Sequence, residues 1–182
     1  MTKLEPVGEE KIVYEGKIFE VVKQNMEGGG VSIEYETARR SPGVRNIVVK
    51  GDKILLTKEH RDEAGGFDYR LPGGKVFDTL DQYREGLKKG GDMLGYAMEA
   101  AKKEVQEEAG LEAGDIKHLH TSKSGATIVW DLFYFLIEDF NEVENGQSLE
   151  HGEVIEPVWR SFSEAKEMCI NDEVKEDRSV AV

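Results

Sequence analysis

The chain has 182 residues, with 24 Lys and Arg against 37 Asp and Glu, which gives a formal net charge of −13. This length predicts one domain of ordinary size, and 38% hydrophobic residues are enough to build a core, which excludes general disorder. The acidic balance argues against nucleic acid and anionic membranes as partners, because both would be repelled.

The first forty residues are predicted to form strands separated by one turn. Tyr14–Val22 is rich in β-branched and aromatic residues, and Gly28-Gly29-Gly30 supplies a reversal. Val31–Ala38 then alternates as a strand with one solvated face does. Two short apolar runs joined by Gly51-Asp52 predict a hairpin over residues 46–57.

The middle of the chain contains the longest predicted helix, Leu94–Ala109, which ends at Gly110. Its expected buried stripe consists of Leu94, Ala97, Ala101 and Val105. The segment before it, residues 77–91, is polar and charged, and it predicts an exposed loop around a short helix in Leu80–Leu87.

The last third is predicted to contain two strands and a helix. Thr127–Ile137 and Glu156–Ser161 have strand composition, and Ser163 is the expected N-cap of the helix that follows. Strands and helices are mixed without βαβ regularity, which predicts an α+β fold with helices packed against a mixed sheet.

Three glutamates share one face of the long helix. Glu104, Glu107 and Glu108 stand at positions i, i+3 and i+4, a spacing at which like charges repel. One explanation is a solvated acidic face. The other is a site for Mg²⁺ or Mn²⁺, hard cations that favour carboxylate oxygens.

A Gly73-Gly74 turn is predicted after Leu71-Pro72, upstream of the long helix. This glycine turn and the helix together resemble the Nudix box, the signature of Nudix hydrolases. Its pattern is G-x5-E-x7-R-E-U-x-E-E-x-G-U, where U is aliphatic. The residues that match are Gly74, Glu104, Val105, Glu107, Glu108, Gly110 and Leu111. The second half of the pattern is a specific match and carries the resemblance.

This chain departs from the family pattern in two ways. Gly74 and Lys103 are separated by about 15 residues more than in the pattern, and this insertion corresponds to residues 77–91. Lys103 replaces the family arginine, and Gly95 stands where the pattern has its first glutamate. Lysine is a point charge that orients a carboxylate less firmly than the planar fork of arginine. Two other carboxylates are candidates to replace the missing glutamate: Asp92 and Glu99.

Segments outside the box are similar, in the same order, to the ADP-ribose pyrophosphatase branch of the family. They are Tyr14–Phe19, Arg39–Val44, Leu55–Arg61, Tyr69–Gly74 and Glu153–Trp159. The resemblance implies a Nudix-type α/β/α sandwich with a mixed sheet. Residues 1–40 are then an N-terminal β extension that contributes to a homodimer, and residues 41–182 are the Nudix domain with its insertion at 77–91.

The resemblance also implies which residues form the site. The metal ligands for Mg²⁺ or Mn²⁺ are Glu104, Glu108, Glu107 and the Gly73 carbonyl. The catalytic candidates are Glu107, Glu153 and Glu150, of which the last two are candidates for the general base. The substrate-binding candidates are Arg39, Arg40 and Arg61. Ordinary surface charge remains the alternative for Glu150, Glu153 and the arginines.

The implied reaction is Mg²⁺-dependent hydrolysis of the pyrophosphate bond in a nucleoside diphosphate sugar, with ADP-ribose giving AMP and ribose 5-phosphate. A divalent metal is needed because the doubly anionic linkage repels hydroxide until cations neutralise it. One alternative is another nucleotide sugar or a dinucleotide as substrate. A second is a nucleotide-binding module with weak catalysis, which Lys103 and Gly95 would explain.

The expected setting is the cytoplasm. The N-terminus has no apolar signal segment, and the longest apolar stretch, Ile128 to Ile137, is too short to span a bilayer. The single cysteine, Cys169, excludes an intrachain disulfide and a cysteine-based zinc site, and we expect it to be a small buried residue.

Overall fold

The computed structural model describes residues 3–182, which form a four-stranded N-terminal sheet, a six-stranded central sheet and a two-stranded pair. The strands are β1 (Glu5–Glu15), β2 (Phe19–Gly28), β3 (Val31–Arg40), β4 (Gly43–Lys50), β5 (Lys53–Arg61), β6 (Gly66–Arg70), β7 (Leu111–Ala113), β8 (Ile116–Ser122), β9 (Ile128–Val129), β10 (Leu132–Ile137), β11 (Phe140–Glu142) and β12 (Ile155–Ser161). The helices are α1 (Leu80–Lys88), α2 (Met93–Ala109), α3 (Phe162–Ile170) and α4 (Asp177–Val180), with a 3-10 turn at Asp62–Ala64. None of the described helices is long and apolar enough to cross a membrane.

The N-terminal sheet has the order β1-β2-β3-β9 and is built from two successive hairpins. The predicted reversal between β2 and β3 is confirmed, with Gly29 and Gly30 at φ values of 60° and 81°. The prediction of only one turn in the first forty residues is wrong. A second tight turn joins β1 to β2, where the Gly16 N–H donates to the Phe19 carbonyl at 2.9 Å. The β-branched and aromatic residues on both sides of Gly16 concealed it in the sequence.

The central sheet has the order β12-β5-β4-β10-β8, with β6 paired to β5. The predicted hairpin at Gly51-Asp52 is confirmed, because β4 and β5 pair antiparallel directly across it. On its other side β4 pairs in parallel with β10. β4 therefore lies inside the sheet, and its Val44 and Val48 are fully buried.

The single strand predicted over Thr127–Ile137 is wrong. The segment forms two strands in different sheets, because β9 pairs with β3 while β10 pairs with β4 and β8. The chain crosses between the sheets at Trp130 and Asp131, and the Asp131 carbonyl accepts a hydrogen bond from the Gly43 N–H at 2.9 Å.

α2 confirms the predicted long helix and its end at Gly110, which has a φ of 65°. Ala97, Ala101 and Val105 are fully buried, whereas Leu94 is half-buried. Small side chains let the helix approach the sheet closely, and the Asn46 amide on β4 donates to the Ala101 carbonyl at 3.1 Å. This contact fixes where the glutamates at the end of α2 lie.

α3 begins two residues earlier than predicted. Ser161, not Ser163, is the N-cap, and it forms a capping box in which the Glu164 N–H donates to the Ser161 hydroxyl at 3.2 Å. Cys169 near the end of α3 is half-buried against a core cluster, so the expectation of a buried cysteine is only partly met.

α1 lies within the predicted insertion and is a well-capped helix. Thr79 and Gln82 form a capping box at its start, and Leu80 and Tyr83 are only 7% and 4% exposed. The Phe77 ring leaves no room for a side chain at Gly86, since an added Cβ would lie 2.9 Å from it. The predicted short helix over Leu80–Leu87 is confirmed, but the segment is not exposed throughout, because its few apolar groups pack together.

A buried carboxylate joins α1 to the N-terminal sheet. Glu20 on β2 is fully buried and accepts hydrogen bonds from Arg39 Nε at 2.6 Å and Arg84 Nε at 2.8 Å. Burial alone would raise the pKa of Glu20, but the hydrogen bonds from Arg84 and Arg39 outweigh it and lower that pKa. Since Arg84 belongs to α1, the helix is held to the sheet by a charged contact 64 residues distant in sequence.

We predict that Arg84→Ala lowers the free energy of unfolding by about 1–3 kcal/mol, because the buried Glu20 carboxylate loses one of its two partners. Urea unfolding followed by circular dichroism measures this. Lys88→Ala on the same helix is the matched control, since Lys88 is exposed, and it should change stability little. Equal unfolding midpoints for the two variants would show that the contact does not hold α1 in place.

Candidate active site

The glycine turn predicted from the sequence lies directly against β4. The Val44 N–H donates to the Gly74 carbonyl at 2.9 Å, and the Asn46 N–H donates to the Pro72 carbonyl at 2.8 Å. A Cβ at Gly73, where φ is 149°, would lie 2.2 Å from the Val44 carbonyl oxygen, and one at Gly74 would lie 2.1 Å from Glu104 Oε1. Only glycine fits at position 73, because the backbone of Val44 lies so close, whereas a side chain at position 74 would displace the Glu104 carboxylate.

Glu108 is buried beneath this turn, with 9% exposure, and its Oε2 accepts a hydrogen bond from the Gly73 N–H at 2.7 Å. Burial, followed by the negative charge of Glu104, raises the pKa of Glu108 to about 8, although the Gly73 hydrogen bond and Arg45 act in the opposite direction. Burial, followed by the charge of Glu107, raises the pKa of Glu104 to about 7. The positive charge near these two carboxylates is therefore too small to keep their pKa values at the ordinary level.

The charges of Arg45 and Lys103 offset this rise in pKa only in part, because each cation forms its ion pair with another carboxylate. Arg45 is buried near Glu108, but its guanidinium forms a two-point ion pair with Glu176, with Nε 2.8 Å from Oε2. Its Nη1 also donates to the Gly73 carbonyl at 2.9 Å. Arg45 was not predicted as a site residue, although it directly follows the Arg39–Val44 segment that showed the resemblance.

The donor set fits a hard divalent cation. Glu104 and Glu108 offer carboxylate oxygens beside the Gly73 carbonyl, and a Mg²⁺ ion held by few protein ligands keeps further positions for water and phosphate. Within residues 3–182, no group of three or more His, Cys, Asp and Glu side chains is close enough to hold a metal ion. Glu104, Glu108 and Gly73 remain predicted ligands.

Glu107, the third glutamate, faces a different neighbour. Its Oε2 lies 3.1 Å from Lys103 Nζ, an ion pair one helical turn apart. This hydrogen bond, with smaller contributions from the charges of Asp78 and Glu104, raises the pKa of Lys103. Asp78, at the start of the insertion, is therefore close enough for its charge to act on Lys103. It was not among the residues predicted to replace the missing glutamate, which were Asp92 and Glu99.

The loop before β12 carries the two candidates for the general base. Gln147 Nε2 donates to the Glu108 carbonyl at 2.5 Å and so holds this loop to the end of α2. Glu150 and Glu153 lie in the next turn, where the Glu150 N–H donates to Glu153 Oε2 at 3.1 Å. Both are exposed, and their charges contribute to the raised pKa of Glu104, which places the turn near the glutamate face.

The three arginines predicted to bind substrate are in different situations. Arg39 is paired with the buried Glu20, and Arg61 is paired with Glu59 on its own strand. Arg40 has no carboxylate within 4.0 Å among the residues that the structure describes. Of the three, Arg40 is the one whose charge is not balanced by an ion pair in the protein.

Comparison with known proteins identifies the family. The NUDIX domain model matches residues 39–180, so the chain belongs to the Nudix family. No curated protein matches the sequence. A crystal structure of an ADP compounds hydrolase is similar over 98% of this chain and 89% of its own, with a TM-score of 0.69 and 20% identity.

The predicted α+β Nudix fold and the predicted class, a Nudix pyrophosphohydrolase, are confirmed by these matches. Members of this family act on nucleotide derivatives and generally use divalent metals. The family match begins at residue 39, close to the end of β3.

The raised pKa values predict how stability depends on pH. Without metal, Glu108 and Glu104 bind protons in the folded state up to about pH 8 and 7, whereas in the unfolded chain they lose them near the ordinary glutamate pKa of 4.5. The folded state therefore holds more protons between these values, and the free energy of unfolding falls as pH rises through this window.

We accordingly expect the melting temperature in EDTA to fall from about pH 5 to pH 8, and the increase on adding Mg²⁺ to grow over the same range. The double variant Glu104→Gln/Glu108→Gln is the control, because it keeps the other titrating groups. If it shows the same pH dependence and the same response to Mg²⁺ as the wild type, the two glutamates are not responsible.

Proposed function

We propose that this chain hydrolyses the diphosphate linkage of an ADP-containing nucleoside diphosphate derivative in the presence of Mg²⁺, with ADP-ribose as the first substrate to test. The products would be AMP and ribose 5-phosphate. Water supplies the oxygen that forms the new P–O bond, the diphosphate P–O bond breaks, and the proton of the water passes to a carboxylate.

One observation carries this proposal: the buried Glu108 and the half-buried Glu104 lie under the Gly73–Gly74 turn, and among residues 3–182 no Lys or Arg forms an ion pair with either carboxylate. A bound divalent metal would neutralise the diphosphate and lower the pKa of the attacking water. The turn holds Glu108 in one orientation through the Gly73 N–H, so the protein fixes this ligand before substrate binds.

The remaining residues have roles that follow from their positions. Glu153 and Glu150 are exposed beside the glutamate face, where either can accept a proton from water. Glu107 lies on the same face, paired with Lys103, and is an auxiliary ligand or base. Arg40, whose charge is free of an ion pair, is the best placed of the three predicted arginines to meet a phosphate.

The choice of ADP compounds rests on two supports. The segments outside the Nudix box resemble the ADP-ribose pyrophosphatase branch, and the similar solved structure is that of an ADP compounds hydrolase. Another nucleotide sugar or a dinucleotide would use the same carboxylates. A substrate panel that measures released nucleoside monophosphate separates these candidates.

We predict that Glu108→Gln lowers kcat for ADP-ribose at least about a hundredfold in Mg²⁺, since it removes a charge from the site without changing its size. Glu112→Gln is the matched control, because Glu112 is an exposed glutamate on β7. Phosphate-coupled turnover with and without EDTA measures both. Near-normal turnover of Glu108→Gln would exclude Glu108 as a ligand.

We also propose that the N-terminal sheet pairs two copies of this chain, as the resemblance implies. β1 is exposed along its whole length and forms the edge of the sheet. Eight apolar side chains of the sheet are at least 42% exposed: Val7, Ile12, Val13, Tyr14, Val31, Ile33, Tyr35 and Ile128. An open edge with this much apolar surface is typical of an interface.

The wild type should therefore be a dimer, and Ile12→Glu should shift it towards the monomer because it places a charge in the proposed interface. Light scattering after size exclusion measures the mass. Ile170→Glu is the control, since Ile170 on α3 is also exposed, at 65%. A monomeric wild type, or equal masses for the two variants, would contradict the proposed interface.

A further inference from the structure

Trp130 lies where the chain leaves the N-terminal sheet and enters the central sheet, and two arginines pack against its ring. The guanidinium carbons of Arg40 and Arg178 are each 4.6 Å from the ring centroid. Arg178, on α4, also donates from Nη2 to the Trp130 carbonyl at 3.1 Å. Residues far apart in sequence thus bring two positive charges to one aromatic side chain.

Neither guanidinium forms an ion pair with a residue that the structure describes, although the charge of Glu176 acts on Arg178 from farther away. Within residues 3–182, no carboxylate lies within 4.0 Å of Arg40 or Arg178, and the buried Arg40 Nε and Arg178 Nη1 atoms lack hydrogen-bond partners. Five other arginines do have carboxylate partners: Arg39, Arg45, Arg61, Arg70 and Arg84. Burial and, for Arg40, the charge of Arg178 lower the pKa of both groups.

This pair lies beside the glycine turn of the candidate site. A Cβ at Gly43 would be 3.0 Å from the Gly74 carbonyl oxygen and 3.9 Å from Trp130 Nε1, so the indole edge and the turn flank the same residue. On its other side Gly74 contacts Glu104. The arginine pair and the carboxylate pair are therefore neighbours across one turn.

Arg40 is the member of the pair that faces a cavity. Arg40, Arg178 and Trp130 are all half-buried, not enclosed. Arg40 lines a cavity of about 450 Å³ together with Asp131 and the end of α1 at Leu87. Asp131 is the acidic residue of that lining, and it is not within ion-pair distance of Arg40.

We propose that Arg40 and Arg178, held against Trp130, form an anion subsite that binds a phosphate group of the substrate through its non-bridging oxygens. The proposal rests on the proposed function for the substrate and adds a binding element, Trp130 with Arg178, to it. Two guanidiniums that lack ion pairs repel each other, and a phosphate bound to them would offset that repulsion. Trp130 is a positioning residue, because it acts through the arginines.

The direct test is the binding of inorganic pyrophosphate in EDTA, measured by isothermal titration calorimetry. We expect Arg40→Gln and Arg178→Gln each to raise the Kd at least about tenfold, because each removes a charge-assisted contact. Arg160→Gln is the matched control, since Arg160 on β12 also lacks an ion pair among the described residues but lies outside this cluster, and it should bind as the wild type does.

Kinetics provide the second readout. With ADP-ribose and Mg²⁺, Arg40→Gln should raise KM at least about tenfold and leave kcat within about threefold, as expected for a group that binds without taking part in bond breaking. Arg40→Lys should recover part of the affinity, because it restores the charge without the planar fork. A merely structural role would show no such recovery.

The outcomes are distinct. If Arg178→Gln fails to fold, because it also loses the bond to Trp130, Arg40→Gln decides, since Arg40 makes no side-chain hydrogen bond in the described structure. Unchanged pyrophosphate affinity in Arg40→Gln, or no binding by the wild type, overturns the subsite. If the wild type does not hydrolyse ADP-ribose but the arginine variants lose pyrophosphate, the substrate proposal fails and the subsite stands.

Discussion

The structure depends most on the contact between the Gly73–Gly74 turn and the carboxylates of Glu104 and Glu108. Glu108 is buried and Glu104 is half-buried against this turn, and the hydrogen bond from the Gly73 N–H offsets the cost of burying Glu108 only in part. α2 reaches this position because its alanines let it lie close to β4. The turn is held there because backbone N–H groups of β4 donate hydrogen bonds to the Pro72 and Gly74 carbonyls. A bound metal cation would supply the positive charge that these two carboxylates lack.

The distribution of arginines follows the same logic. Nudix hydrolases act on nucleotide derivatives, which are anionic. Because this protein has a net charge of −13, it has little positive charge to place near such a site. Most arginines are used internally: Arg84 and Arg39 neutralise Glu20 to dock α1, and Arg45 is bound to Glu176 behind the glycine turn. Arg40 and Arg178 are exceptions, and both pack on Trp130, whose indole lies near Gly43 on the other side from the Gly74 carbonyl.

The parts of the fold that local sequence determines were predicted well. α2, its end at Gly110 and the hairpin at Gly51-Asp52 each follow from spacing or from a turn that only certain residues form. The burial of α1 was not predictable from its own polar sequence, because it depends on Glu20, a residue in another sheet. The division of the strand over Thr127–Ile137 likewise reflects pairing with β3, a long-range contact. In the site, the glutamates were found by their helical spacing, whereas Arg45, Gln147, Trp130 and Arg178 have no local pattern and gain their roles only from packing.

The central claim is that Glu104 and Glu108 hold the divalent ion on which hydrolysis depends. Anomalous diffraction from crystals soaked in Mn²⁺ tests it most directly, because Mn²⁺ binds oxygen ligands of the same kind as Mg²⁺ and is visible by its own scattering. The account predicts that the strongest anomalous peak lies at coordination distance from both carboxylates, beside the Gly73–Gly74 turn. A strongest peak elsewhere, or occupied density at this position in crystals of Glu104→Gln/Glu108→Gln, would contradict it.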